Sequence, residues 1–448
     1  MNLDFKSNQS TRYLQVYDYY KDLIVTGRLP ENTKMPSIRR CAQQLGLSRT
    51  TIETAYLCLA ADGYIISRPQ SGYYVTGRHL KNATLPHEEQ KAEAHEIIYN
   101  FTSNNVDADS FDFNLWRRYI KSTLRHDKRM LTYGEPQGEY ELRETICNYV
   151  INKRNAVCRP ENIVIGAGSQ ALMNILCPLI RERHSVCFQD THFAQGMVIF
   201  EDYGFTVEAK RENARILYMT PSHMTTLGEV MSVEKRLDLL KECAVHDCLI
   251  IEDDYDNEFR YFNKPIPCLQ GLAGGENVVY LSTFSKLLLP SIRLSFMILP
   301  DSLLPLYEEK KALYNQTASK SEQLALCQFL RDGHLDSQIR KLKRLYANKA
   351  KSLTALLEQA FGERAVVSMG ESVFLVHLKV KARLSGTALL EQARRHGLKF
   401  FVSEGRHGLS KAAESPEHTV HITLSCCEVP VEEFPEAVRR LKEVIEEG

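Results

Sequence analysis

A single lysine stands among hydroxyls in Ser282-Thr283-Phe284-Ser285-Lys286, directly after an apolar run that reads as a strand. A lysine held at a strand end and partly withdrawn from water is an amine suited to forming a Schiff base. Seven residues on, Arg293 offers a planar fork of donors suited to phosphate. Upstream, Ile250-Ile251-Glu252-Asp253-Asp254-Tyr255 puts acids at the end of another apolar run, where open α/β sheets bind ligands. A carboxylate buried there needs a cationic partner, and a protonated pyridine nitrogen is one. Further upstream, Val164-Ile165-Gly166-Ala167-Gly168-Ser169-Gln170 runs from strand through small residues into a helix, an arrangement that presents free N–H groups to an anion. Taken singly, each feature has an ordinary alternative: a strand–helix connection, a solvated acidic loop, or surface charges.

These residues need a scaffold that brings strand ends together. Short β-rich runs at 162–165, 185–188, 215–219, 248–252, 277–281 and 294–299 alternate with helical patterns, which implies α/β architecture with a largely parallel sheet. From about Ala312 long helices take over, followed by strand-like runs at 373–378 and 420–424, the pattern of a smaller α+β subdomain. Residues 1–77 read as a separate unit, 78–97 as a polar, charged linker, and 98–448 as the large unit.

In the first unit three helical faces can be counted, the second and third opened by Ser37 and Ser48 as N-caps and separated by Leu45-Gly46-Leu47. Two runs, 64–68 and 73–75, flank Pro69-Gln70-Ser71-Gly72 as a hairpin. Helix, turn, helix and hairpin together form a winged helix-turn-helix, although such geometry also occurs in small dimerisation domains that never touch DNA. Charge bears on that choice. The whole chain carries 56 basic and 56 acidic side chains, yet residues 1–80 hold ten basic against six acidic. A unit of net +4 is thus joined to a body of net −4, and phosphate contacts should fall mainly on the small unit.

Other global features exclude whole classes. No uncharged apolar run reaches membrane-spanning length, since Lys286 and Arg293 interrupt the stretch 281–300. The first residues, MNLDFKSNQSTRY, lack the apolar core of an export signal, so a cytoplasmic protein is expected. Twelve cysteines, without CxxC pairs or zinc spacing, point to reduced buried thiols and to no metal site; Cys426 and Cys427 are expected within a strand.

The string GRLPENTKMPSIRRCAQQLGLSRTTIETAYLCLAADGYIISRPQSGYYV resembles the winged helix-turn-helix of the GntR family of bacterial transcription regulators. That resemblance implies DNA contacts from Ser37, Arg39, Ser48, Arg49, Thr50 and Thr51, and from Ser71 and Gly72 in the wing. The order of phosphate turn, acid with tyrosine, lysine and arginine resembles fold-type I pyridoxal-phosphate enzymes of the aspartate aminotransferase class. The strings LTYGEPQGEYELRETI, YMTPSH and EDDYDNEFRY extend the likeness over residues 98–445. By that likeness Lys286 carries the Schiff base, Asp253 pairs with the pyridinium nitrogen and Tyr255 bonds the phenolic oxygen. Gly168, Ser169, Gln170, Thr283, Ser285 and Arg293 hold the phosphate, and Phe193 stacks on the ring. The two parts fused through a linker resemble the MocR subfamily. Its members imply a pyridoxal-phosphate-dependent regulator that reads a double-stranded operator as a head-to-tail homodimer and responds to a small-molecule effector.

Two positions depart from that subfamily's pattern. Thr423, in His421-Ile422-Thr423-Leu424-Ser425-Cys426, stands where amino-acid-sensing members carry a carboxylate-binding Arg, and Thr226-Leu227-Gly228 replaces Pro-Thr-Gly. Threonine cannot make the bidentate ion pair. Binding of the cofactor without turnover of common α-amino acids is therefore expected, with the cofactor itself, an amine, or an acid held by another group such as Arg406 as effector. A working aminotransferase with a DNA-binding appendage is the competing function, and a purely structural dimerisation domain without cofactor is a third.

Overall fold

A computed structural model describes residues 11–76, 96–102, 105–107, 109–125, 127–189, 193–222, 224, 230–260, 266–370, 372–404 and 418–446. Its contacts divide the chain into two compact units, 1–94 and 95–448. Of the expected linker only residues 96 and 97 fall within the described residues.

The small unit is built from α1 (Arg12–Val25), α2 (Ile38–Leu45), α3 (Arg49–Ala61) and the antiparallel pair β1 (Ile65–Arg68) and β2 (Gly72–Val75). Its apolar positions follow the helical period, so Val16, Tyr20 and Ile24 meet Cys41, Ala42, Ile52, Ala55, Tyr56 and Leu59 in one core. Tyr20 and Tyr56 pack edge to face at 5.7 Å, and the Tyr56 hydroxyl donates to the Pro36 carbonyl at 3.0 Å, fixing the approach to α2. The turn between α2 and α3 is made possible by Gly46 at φ +63°, which closes α2 in the left-handed region. Gly72 pairs with Arg68 as the first residue of β2, so it belongs to the strand and not to the hairpin turn expected for it.

The large unit is built on a seven-stranded sheet: β3 (Ile163–Gly166), β4 (Ser185–Phe188), β5 (Thr206–Val207), β6 (Ile216–Met219), β7 (Leu249–Asp254), β8 (Val278–Thr283) and β9 (Ser295–Ile298), in the order β3-β9-β8-β7-β6-β4-β5. The apolar runs fall on these strands to within a residue or two. The sheet, however, is mixed. β9 runs antiparallel to both β3 and β8, because the eleven residues from Phe284 to Leu294 turn straight back where a parallel neighbour would need a longer crossover. That return carries both Lys286 and Arg293.

A second sheet, β10 (Ala365–Met369), β11 (Leu375–Ala382), β12 (Phe401–Glu404) and β13 (His418–Ser425), is antiparallel in the order β10-β11-β13-β12 and packs with the 28-residue helix His334–Phe361. β13 ends at Ser425, so Cys426 and Cys427 lie just beyond the strand expected to contain them. The chain leaves the ladder there: the Cys426 N–H donates to Phe374, outside β11, and Lys349 Nζ donates to the Cys427 carbonyl at 3.2 Å. All twelve cysteines are free thiols, ten of them buried. No helix among the described residues is long and apolar enough to cross a membrane.

Candidate functional site

The strand ends of the seven-stranded sheet and one face of the second sheet enclose a cavity of about 490 Å³. Every residue expected to hold a cofactor lines it except Gln170, which is exposed at the second position of its helix.

One end of the cavity is built by backbone geometry. Helix α4 (Ser169–Leu179) begins at Gly168, whose φ of +95° and ψ of 165° are open to glycine alone. A Cβ at Gly168 would run into the Arg293 guanidinium, so the glycine makes room for that fork. Arg293 itself sits at φ +53°, directly after the turn Pro290–Ile292. Opposite, Thr283 Oγ1 donates to Ser285 Oγ at 3.0 Å and accepts from the Ser285 N–H at 3.2 Å, holding two hydroxyls at the cavity edge. The Ala167 N–H is taken by Thr317 Oγ1 at 2.9 Å, which fixes the turn that opens α4.

The acid end is set by register. Asp253 is the last-but-one residue of β7, with part of its surface open to the cavity but away from bulk water. Tyr218, on neighbouring β6, donates to Asp253 Oδ2 at 2.6 Å. Burial outweighs this bond and pushes the Asp253 carboxyl up to about 6. Its neighbours face the other way. Asp254 accepts from Arg154 Nε and from the Tyr280 hydroxyl, both at 2.7 Å. Glu252 accepts the Leu269 and Gln270 N–H groups, and burial pushes it up to about 7. Of the three acids only Asp253 lines the cavity.

Between the two ends stands Lys286, its Nζ 4.9 Å from the Tyr255 ring centroid and 4.3 Å from that of Phe374. Phe193 stacks on Tyr218 with centroids 5.5 Å apart and planes 28° from parallel. Gly196 permits this, since a Cβ there would strike the Phe193 ring. The far wall is formed by Phe374, Leu375, Phe401, Thr423 and Ser425. Thr226, Leu227, Gly228 and Arg406 lie outside the described residues.

Sequence reasoning missed Tyr218, Thr317, Arg154 and His377. Each acts across strands or from a distant helix approach, and only the paired acids of β7, which demand buried partners, hinted that such groups must exist.

In the small unit Arg39, Ser48, Arg49 and Thr50 are exposed, and Thr51 is half-buried. Ser48 Oγ accepts the Thr51 N–H at 3.1 Å and meets the Thr50 and Thr51 hydroxyls at 2.9 and 2.7 Å. Ser37 Oγ accepts the Arg40 N–H at 3.3 Å. Both serines are thus engaged as helix caps, with the Thr50 hydroxyl beside Ser48, which leaves Arg39 and Arg49 with the longer reach. In the wing Ser71 Oγ lies 2.7 Å from the Tyr74 hydroxyl, and the Arg68 guanidinium sits 4.4 Å over the Tyr74 ring. Lys34, 5.8 Å from that ring, adds a cation that the sequence pattern alone did not single out.

Residues 12–75 match the family described as "Bacterial regulatory proteins, gntR family". The chain is 35% identical over 96% of its length to the "Uncharacterized HTH-type transcriptional regulator YdeL" of Bacillus subtilis, and covers 96% of that protein. It is 27% identical to the "Probable rhizopine catabolism regulatory protein MocR" of Rhizobium meliloti, covering 86% of this chain and 85% of that one. It is 25% identical to the pyridoxine biosynthesis regulator PdxR of Corynebacterium glutamicum, covering 75% and 76%. Among solved structures, a kynurenine aminotransferase of Pyrococcus horikoshii superposes with a TM-score of 0.64 at 19% identity over 79% of this chain and 91% of that one. An α-aminoadipate aminotransferase of Thermus thermophilus gives the same score at 21% identity over 79% and 94%. At such identities the likeness concerns the fold.

Proposed function

The chain belongs to the MocR-type transcription regulators of the GntR family, DNA-binding proteins with an aminotransferase-like unit, and on that premise we propose that its large unit binds pyridoxal 5'-phosphate and reports an effector to the winged helix. One observation carries this reading: Lys286, Asp253 and the Gly168–Arg293 cradle open into a single cavity. The donor set fits the group. The start of α4, Ser169, Thr283, Ser285 and Arg293 supply N–H groups, hydroxyls and a guanidinium for a phosphate. Asp253, oriented by Tyr218, would pair with a protonated ring nitrogen, and Phe193, stacked on Tyr218, would cover the ring face. Tyr255, beside Lys286, would bond the ring oxygen. When bound, pyridoxal phosphate supplies an aldehyde that captures primary amines. Lys286 would provide the resident amine, and the rings of Tyr255 and Phe374 lie against it.

On the DNA side, Arg39, Arg49 and Thr50 approach the major groove from the helix edge, and Ser71, Gly72 and Arg68 bring the wing to the backbone. The chain works as a cytoplasmic homodimer whose two winged helices read paired half-sites. A working aminotransferase with an incidental appendage is not favoured, because the similarity to transcription regulators covers 96% of the chain.

The test begins with purified protein freed of cofactor. Added pyridoxal phosphate should produce a visible absorption band that Lys286→Ala abolishes while affinity for DNA upstream of the protein's own gene persists. A wild-type protein that stays colourless refutes the cofactor reading.

A further inference from the structure

The proposed cofactor groups occupy one side of the cavity, and the second sheet forms the other. Thr423 and Ser425 lie two residues apart on β13 and so face the same side; both line the cavity although only 3% and 5% exposed. Thr423 Oγ1 lies 3.1 Å from Nδ1 of His377, its register partner on β11. That contact orients the hydroxyl at the base of the wall. Phe374, Leu375 and Phe401 add apolar surface around it. Among the described lining residues the cations are Lys286 and Arg293, and both stand on the cofactor side.

We propose that this wall selects the effector as a primary amine whose far end carries a hydroxyl or other uncharged polar group, in preference to an α-amino acid. A hydroxyl both donates and accepts, so it can satisfy a neutral polar group in a buried site. Among the described lining residues no cation stands on this wall, so a carboxylate pressed against Thr423 would leave water without one of them to offset its desolvation. Discrimination of this kind is strong where the polar groups of the site are buried, as Thr423 and Ser425 are.

The inference rests on the cofactor reading, and the experiment separates the two. Full-length protein loaded with pyridoxal phosphate is first checked for its visible absorption; absence of the band overturns the cofactor reading and this inference with it. Calorimetric titrations then compare matched pairs, ethanolamine against glycine and serinol against L-serine. In each pair the alcohol should bind about tenfold tighter or more, with a change in the cofactor's absorption. Thr423→Val, close in shape but without the hydroxyl, should erase most of that preference, and Thr423→Arg should invert it. Should Thr423→Arg not fold, the valine variant decides alone. Equal or tighter binding of the amino acids by the wild type, or a preference untouched in Thr423→Val, overturns the proposal while leaving the cofactor reading standing.

Discussion

Substituting Gly168 by alanine tests the anion cradle at its tightest point. Two costs follow from the geometry. At φ +95° and ψ 165° an alanine is strained, which lowers the stability of the cofactor-free protein by about 1–3 kcal/mol. Its Cβ also occupies the space of the Arg293 guanidinium. Because that group ends a flexible side chain, it can swing away at little cost to the fold, but the fork is then no longer aimed at the phosphate. A charge-assisted hydrogen bond of this kind contributes about 1.5–3 kcal/mol, so affinity for pyridoxal phosphate should fall roughly 10- to 150-fold. Thermal denaturation without cofactor reads the first cost, and titration of the visible absorption reads the second. A double-mutant cycle isolates the contact: in an Arg293→Ala background Gly168→Ala should weaken affinity far less than in the wild type. Wild-type affinity in Gly168→Ala, or simple additivity in the cycle, would refute the cradle.

Four further outcomes are expected. The Asp253 carboxyl, near 6 in the cofactor-free protein, must be ionised to pair with a cationic ring, so affinity should fall by up to about tenfold per unit as the pH drops below 6; Asp253→Asn should bind weakly and lack that component. For the cofactor-free fold the sign reverses, because a raised carboxyl pKa gives stability that is present at low pH and lost as the pH rises through about 6, and melting curves against pH for wild type and Asp253→Asn check it. Arg49→Ala should cost about 1–3 kcal/mol of operator binding, measured by fluorescence anisotropy, with the cofactor's absorption unchanged. Arg154→Met strands Asp254 without its cation and should cost about 3–5 kcal/mol in denaturant unfolding, much of it recovered by adding Asp254→Leu.

Lys286, Asp253 and Gly168 were legible in the sequence because each follows an apolar run, and a strand end is a place that a short pattern can mark. The direction of β9 was not, since an apolar run reads alike in a parallel or an antiparallel strand; only the length of the connection from Phe284 to Leu294 held the clue. Tyr218 escaped notice for a related reason. Its bond to Asp253 depends on the pairing of β6 with β7, 35 positions apart in the chain, and register is a tertiary property. The helix caps of the small unit were visible because Ser37 and Ser48 act within three residues of themselves. Whether a capping serine also touches DNA is invisible to such local patterns.

The two walls of the cavity belong to separate sheets, one carrying the groups proposed to hold the cofactor and the other Thr423, in contact with His377, and Ser425. If the proposed roles hold, substitutions on β11 and β13 would change which molecule is recognised without disturbing the residues proposed to keep the cofactor in place. On the proposed reading the cofactor chemistry sits in a fixed socket and the specificity on an exchangeable faceplate.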